Sequence, residues 1–556
     1  MGFALKGTEG PRAHSEESLL ERLVTTEALG LFSGFAEIKK LESVDSGEKF
    51  KVATSLGSLA FFYERFRNAI DYKQDITLLR SAIERISKRL LWENPSYALH
   101  TKSLSESLIR ELIWARYVKN GSLQTASLQK IANIYFKYLK FLSLVSNQSG
   151  KTIPKVSWRD FVLGIAAGEV EEIVNPQVAK EDVLTNEVTN WFVKRFDWEN
   201  DIDNLSKKIN IWAAIYRGLY KTEVPAVRFH LLKRFYPDWF AAPVEKIESI
   251  KDEFIAVAVK LEEIINSTLQ LRLYRFVQKH ITPFLILSEA VEEKDFLDAL
   301  NDKKELAQRI ARFCDKRYEE IRGRVARGIS RSIIYIFVTK ILFAMVIEIP
   351  YEIFFLGGVR AIPLTTSLLA PPALMGLVGL AIKRPGEENT KKITEKIFDF
   401  VFEKDGKKIG FSLMGRKKGG LTYKIFAASY LVLFVAVFAL LSFGLLRLHF
   451  SLLSALIFYA FLSLILLFGF RVKHTASEFN VVGEDEGFFS NFISTVSLPF
   501  LNLGVWLSQQ LSKINILMLI LDFLIEAPLK NILGVLEDWN LFMKEKKQDI
   551  IEVPNQ

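Results

Sequence analysis

Residues 425–470 read IFAASYLVLFVAVFALLSFGLLRLHFSLLSALIFYAFLSLILLFGF, and their reading decides the fold. Two charge-free apolar runs, Ile425 to Leu446 and Phe450 to Phe470, are separated only by Arg447-Leu448-His449. Each run is roughly 20 residues long, enough as a helix to cross the ~30 Å hydrocarbon core of a bilayer, and the short basic link makes the pair a helical hairpin. The chain therefore reads as an integral membrane protein.

Toward the N-terminus a second pair of candidate spans precedes this hairpin. Ser332 to Leu356 is apolar but contains Lys340, Glu348 and Glu352. Ala361 to Ile382 is uncharged yet holds Pro363, Pro371 and Pro372, so a kinked or broken helix is expected there. Four spans in two hairpins, 332–382 and 425–470, follow. Basic residues lie where this alternation places one side of the membrane: Arg317, Arg322, Arg324, Arg327 and Arg331 before the first span, Lys383 and Arg384 after the second. Arg416, Lys417, Lys418 and Lys424 precede the third span, and Arg471 and Lys473 follow the fourth. The positive-inside rule then puts both termini and the 383–424 loop in the cytoplasm, with the inner membrane of a bacterium-like cell as the expected location. The first residues lack an apolar signal region, so insertion is expected to be driven by the internal segments.

The 471–556 tail reads as an amphipathic, membrane-surface segment on the cytoplasmic side. From Phe488 to Leu511 no charge occurs, but Asn491, Thr495, Asn502 and Gln509 share one side while Val496, Phe500, Leu503 and Leu507 share the other. A further hairpin, giving six spans, is the competing reading. Asp522, Glu526 and Pro528 in its second segment make that crossing costly.

Ahead of the membrane part the chain carries charge throughout and reads as helix after helix. Residues 1–14 form a flexible N-terminus, 15–303 an all-helical cytoplasmic domain, and 304–331 a basic juxtamembrane helix that continues into the first span. Ser103 with Glu106 and Ser157 with Asp160 have the spacing of helix-start capping boxes. Asn120-Gly121 and Asn175-Pro176 read as helix stops. The apolar spacing from Val244 to Thr282 predicts one long helix ended by Pro283. Within the central 383–424 loop, Asp405-Gly406 predicts a small β-hairpin over 398–413, although Ile393, Ile397 and Val401 also fit a helix over 390–402. The fold class expected is thus mainly α.

Composition narrows the chemistry. A single cysteine among 556 residues excludes an intramolecular disulfide and any CxxC motif, and Cys314 lies on the apolar side of a helical pattern. No HExxH or GxSxG occurs, and the six histidines stand far apart without ligand spacing. Ser149-Gly150-Lys151-Thr152 imitates the end of a phosphate-binding loop but lacks the leading glycine and the following helix start. No catalytic residue, metal ligand set or cofactor is indicated.

Three features carry functional readings. Lys340, Glu348 and Glu352 share one helix face within the first span, as an ion or proton path or as a set of structurally paired charges. Arg228, Lys233, Arg234, Tyr236 and Trp239 interleave basic and aromatic character, which suits single-stranded nucleic acid and equally a helical core with arginines at its rim; nucleic acid is the less favoured partner. Arg317, Arg322, Arg324, Arg327 and Arg331 are placed for anionic lipid head groups. The net charge of +9 agrees with such a surface. The expected function is a membrane-anchored scaffold or interaction module with a protein partner the sequence does not identify. A channel or transporter built on Glu348 and Glu352 is the alternative.

Overall fold

The computed structural model describes residues 24–43, 47–52, 61, 78–146, 156–198, 204–293, 295–382, 385–403, 408–411, 421–477, 479–481 and 488–513, with 535, 539, 542, 543, 546 and 547 beyond them. It is mainly helical, with a small two-stranded sheet. The chain divides into two compact units, residues 1–292 with 398–413 and 516–556, and residues 293–397 with 414–515.

The first unit is built of short amphipathic helices whose ends follow local chemistry. Ser157 begins the Trp158–Val174 helix by accepting the backbone N–H of Asp160 at 3.1 Å, and Asn175 ends it in extended conformation before Pro176. Ser103 lies inside the Thr101–Trp114 helix and does not start it. The preceding 3-10 turn Pro95–Ala98 already bends the chain, with the His100 N–H bonded to the Ser96 carbonyl, so the helix begins earlier. That helix stops at Trp114, ahead of Asn120-Gly121; the Asn120 amide instead bonds both backbone groups of Val52, at 3.0 and 2.7 Å. The long helix expected over 244–282 is interrupted. Ile247–Ile265 is followed by Thr268–Val277, because the Ser267 hydroxyl takes the Gln270 N–H and the Asn266 amide turns back to the Glu262 carbonyl. The apolar period runs through this break, but capping chemistry at Asn266-Ser267 outweighs it.

Residues 398–402 are helical, so the β-hairpin expected over 398–413 does not form. They complete the Glu387–Phe402 helix, and Ile409–Phe411 pairs in parallel with Phe196–Trp198. The reason is tertiary. Phe400 and Val401 are fully buried in the first unit, where Trp191 and Phe284 pack their rings on Phe400. The last carbonyls of the helix, which no intrahelical N–H can reach, are taken by partners from the far N-terminal part of the chain. Thr25 donates its N–H to Val401 and its hydroxyl to Phe400, at 2.8 and 2.7 Å, and Arg195 bonds the Glu403 carbonyl and the Asp399 carboxylate. A cation at the negative end of the helix dipole adds to this stabilisation.

The second unit contains four helices long and apolar enough to cross a membrane: Lys303–Leu356, Ala361–Leu380, Lys424–Arg447 and Leu452–Ala476. The first runs unbroken as α-helix from Lys303 to Phe343, with Leu306, Ile310, Cys314 and Ile321 buried along one side, and passes through a π-helical turn at Ala344–Glu348. The second is one helix despite Pro371 and Pro372, so the expected break is not seen. Ile336, Met375, Ile457, Phe461, Ile465 and Val472 form the core shared by the first, second and fourth helices. The third presents most of its apolar side chains outward and touches its neighbours through Phe438, which stacks on Phe500, and Ser442, which bonds the Tyr459 hydroxyl.

Small residues let these helices approach, as expected where burial against lipid supplies little driving force. A Cβ on Gly469 would lie 2.5 Å from Val378, and one on Gly504 would lie 2.5 Å from the Ser463 carbonyl oxygen. Gly504 belongs to the Phe488–Lys513 helix, and this contact seats it against the middle of the fourth apolar helix. The helix expected to lie along the membrane surface is therefore packed at the depth of Ser463. Gly504→Ala should lower stability in detergent by about 1–3 kcal/mol, since a backbone carbonyl cannot swing aside as a side chain can. Gly376→Ala, at a position with nothing within 4 Å of the added carbon, should leave thermal unfolding unchanged. Equal effects of the two substitutions would contradict this packing.

Candidate functional site

The polar groups of the first apolar helix converge through the π-helical turn. Eight residues of regular α-helix leave positions 340 and 348 roughly 80° apart around the axis. A wider i→i+5 turn advances fewer degrees per residue and carries Glu348 back toward Lys340. The Lys340 ammonium bonds Glu348 Oε1 at 2.6 Å, and the two side chains are 0% and 2% exposed. Ser367, from the second apolar helix, sets its hydroxyl 3.4 Å from both Glu348 oxygens, and Phe461, from the fourth, lies with its ring centroid 5.2 Å from Lys340 Nζ. Both charges are thus enclosed by three helices and joined to each other.

Glu352 is held separately. Its Oε2 accepts the backbone N–H of Arg360 at 2.9 Å, closing the loop that begins at Gly357 with φ of 77°. The Arg360 guanidinium reaches the His449 carbonyl, in the link between the third and fourth apolar helices, at 3.1 Å. Glu352 is 2% exposed and ties down a connection between helices. The three groups read from sequence as one stripe are one ion pair and one loop clamp. Such an arrangement satisfies buried charge; moving an ion through it would require the pair to open.

The juxtamembrane arginines divide by environment. Arg317 pairs with Glu320 at 2.6 Å and Arg322 with Glu319 at 3.0 Å on their own helix. Arg324, Arg327 and Arg331 are exposed and have no acidic partner among the described residues. The basic and aromatic group in the first unit is not a surface. Trp239 is fully buried, stacked on Phe254 at 3.9 Å and edge-on to Phe141, and Tyr236 is buried as well. Arg228 is engaged with both carboxylate oxygens of Glu262, and Lys233 is paired with Glu172. Arg234 is half-buried near Asp182 and Glu187, where burial lowers its pKa. The residues read as a stacking platform are a core with its internal salt bridges.

Beside that core lies a cluster that sequence spacing does not show. Glu172, Asp182 and His230, from three different helices, bring one ligand-type atom each to within 4.8 Å of the others. Burial drives the neighbouring Glu171 carboxyl up to about 7 and that of Glu181 up to about 8, so carboxylates outnumber the cations placed to neutralise them.

Comparison with protein-family models, curated proteins and solved structures finds no match, so function rests on these geometries. The Lys340–Glu348 pair makes a direct prediction. Lys340→Met or Glu348→Gln alone should destabilise the protein by about 3–5 kcal/mol, because each leaves the other charge buried without a partner. The double variant Lys340→Met with Glu348→Gln should recover most of that loss in thermal unfolding. Strictly additive losses would show that the two groups do not act as a pair.

Proposed function

We propose that this chain is an integral membrane protein acting as a membrane-anchored scaffold or protein-interaction module. In this reading its helical domain, both termini and the 383–424 segment face the cytoplasm of a bacterium-like cell. The observation that carries it is the internal neutralisation of Lys340, Glu348 and Glu352, each bonded to another group of the same apolar unit. Those bonds account for the polar groups without an ion pathway. The docking of residues 398–411 into the helical domain supports the sidedness, since the loop between the second and third apolar helices must then lie on the side where that domain lies.

The channel or transporter reading keeps one specific observation in its favour. A π-helical turn lies directly between Lys340 and Glu348, and such turns recur at functional points of helices. Reconstituted protein distinguishes the two. A scaffold should give proton and monovalent-cation flux no greater than empty liposomes, whereas flux that disappears in Glu348→Gln while the fold persists would replace the scaffold reading with a transporter.

Arg324, Arg327 and Arg331 are the residues we assign to anionic head groups, each contributing about 1 kcal/mol near a charged surface. In nanodiscs, replacing neutral lipid with phosphatidylglycerol should raise the melting temperature of the wild type. The triple glutamine variant should lose that increment, and added salt should reduce it in the wild type because charges screen over roughly 8–10 Å. An increment unaffected by the triple substitution would remove the assignment.

A further inference from the structure

Glu172 lies in the last turn of the Trp158–Val174 helix and Asp182 early in Gln177–Arg195, so the reversal at Asn175-Pro176 sets the two carboxylates side by side. Across from them the Val224–Phe235 helix contributes His230 and, one turn later, Lys233. His230 is 3% exposed, and its ring is fixed by Tyr216 and Phe229, with centroids at 4.5 and 4.9 Å. Its Nδ1 stands 2.9 Å from Asp182 Oδ1, yet outside hydrogen-bonding direction, so a buried ring nitrogen is aimed at the carboxylates without a hydrogen bond. Lys233 pairs with Glu172 and has its Nζ 3.9 Å from Asp182 Oδ2, placing an ammonium where the two acids call for a cation.

We propose that Glu172, Asp182 and His230 form a binding site for a divalent transition-metal ion of the Zn2+ or Mn2+ class, with Lys233 as its built-in competitor. Two carboxylate oxygens and an imidazole nitrogen are the donors such ions take, whereas Mg2+ and Ca2+ prefer oxygen alone. Metal–donor bonds of about 2.0–2.2 Å place donors roughly 3–3.5 Å apart, so the group must contract from its 4.8 Å spread. Rotation of Glu172 about its side-chain bonds supplies that movement once Lys233 releases it. The Lys233 side chain is 41% exposed and can turn into water. The buried, clamped imidazole is the fixed part of the site and Glu172 the part that closes. This site belongs to the helical domain and stands apart from the membrane-anchor reading.

The test uses the full chain in detergent, stripped with chelator and titrated calorimetrically with ZnCl2, MnCl2 and MgCl2. The wild type should take up one equivalent of Zn2+ or Mn2+ and no Mg2+, with a rise in melting temperature that His230→Gln and Asp182→Asn abolish. Lys233→Met should bind at least tenfold more tightly, an outcome that misfolding cannot produce. A purely structural salt-bridge network predicts the reverse for that variant, with lower stability and no uptake. If neither the wild type nor Lys233→Met binds either ion, or if uptake persists in the His230 and Asp182 variants, the site is overturned.

Discussion

The architecture depends on how one helix ends. The Glu387–Phe402 helix terminates with its free carbonyls against Thr25 and Arg195 and with Phe400 enclosed by Trp191 and Phe284. Unpaired carbonyls in a dry interior are costly, so this end is stable only when the N-terminal part of the chain is folded around it. A segment lying between two apolar helices thereby becomes part of the helical domain. The connection between the second and third apolar helices is an anchored structural element whose path is set at both ends.

What was legible in the sequence is what depends on composition over long windows. Four runs without enough charge to remain in water are recognisable wherever they occur, and the four apolar helices lie where those runs are. Local chemistry also reads well where one signal acts alone, as at Ser157 with Asp160 and at Asn175-Pro176. It reads poorly where two periods fit the same residues. Phe398, Phe400 and Phe402 alternate as in a strand, while Ile393, Ile397 and Val401 repeat as in a helix. The deciding term is the enclosure of Phe400 by residues some two hundred positions earlier. At Asn266-Ser267 the signal was present in the text, but the apolar period ran through it.

The candidate sites were legible by residue and not by role. Lys340, Glu348 and Glu352 do lie on the apolar helix, but no spacing rule shows that a π-helical turn pairs the first two and leaves the third to close a loop. Trp239 and Tyr236 are interleaved with cations just as on a nucleic-acid surface, because a helix whose aromatic face is buried and whose rim is charged has the same pattern. The Glu172, Asp182 and His230 group was invisible for a simpler reason: three helices must pack before those atoms meet. Buried charge is treated differently in the two units. Among the apolar helices it is matched one to one, whereas in the helical domain acids accumulate around a single imidazole and a movable ammonium.

The π-helical turn at Ala344–Glu348 amounts to an α-helix carrying one surplus residue. Each residue of an α-helix contributes about 100° of rotation, so the surplus acts as a phase correction between the side that buries Cys314 and Ile321 and the side that holds Glu352. Loss of any single residue between 344 and 348 would restore ordinary winding and swing everything after it by about that angle, turning an enclosed carboxylate toward hydrocarbon with no change in its chemical identity. Along this helix the chain's length, counted in single residues, governs which charges are tolerated.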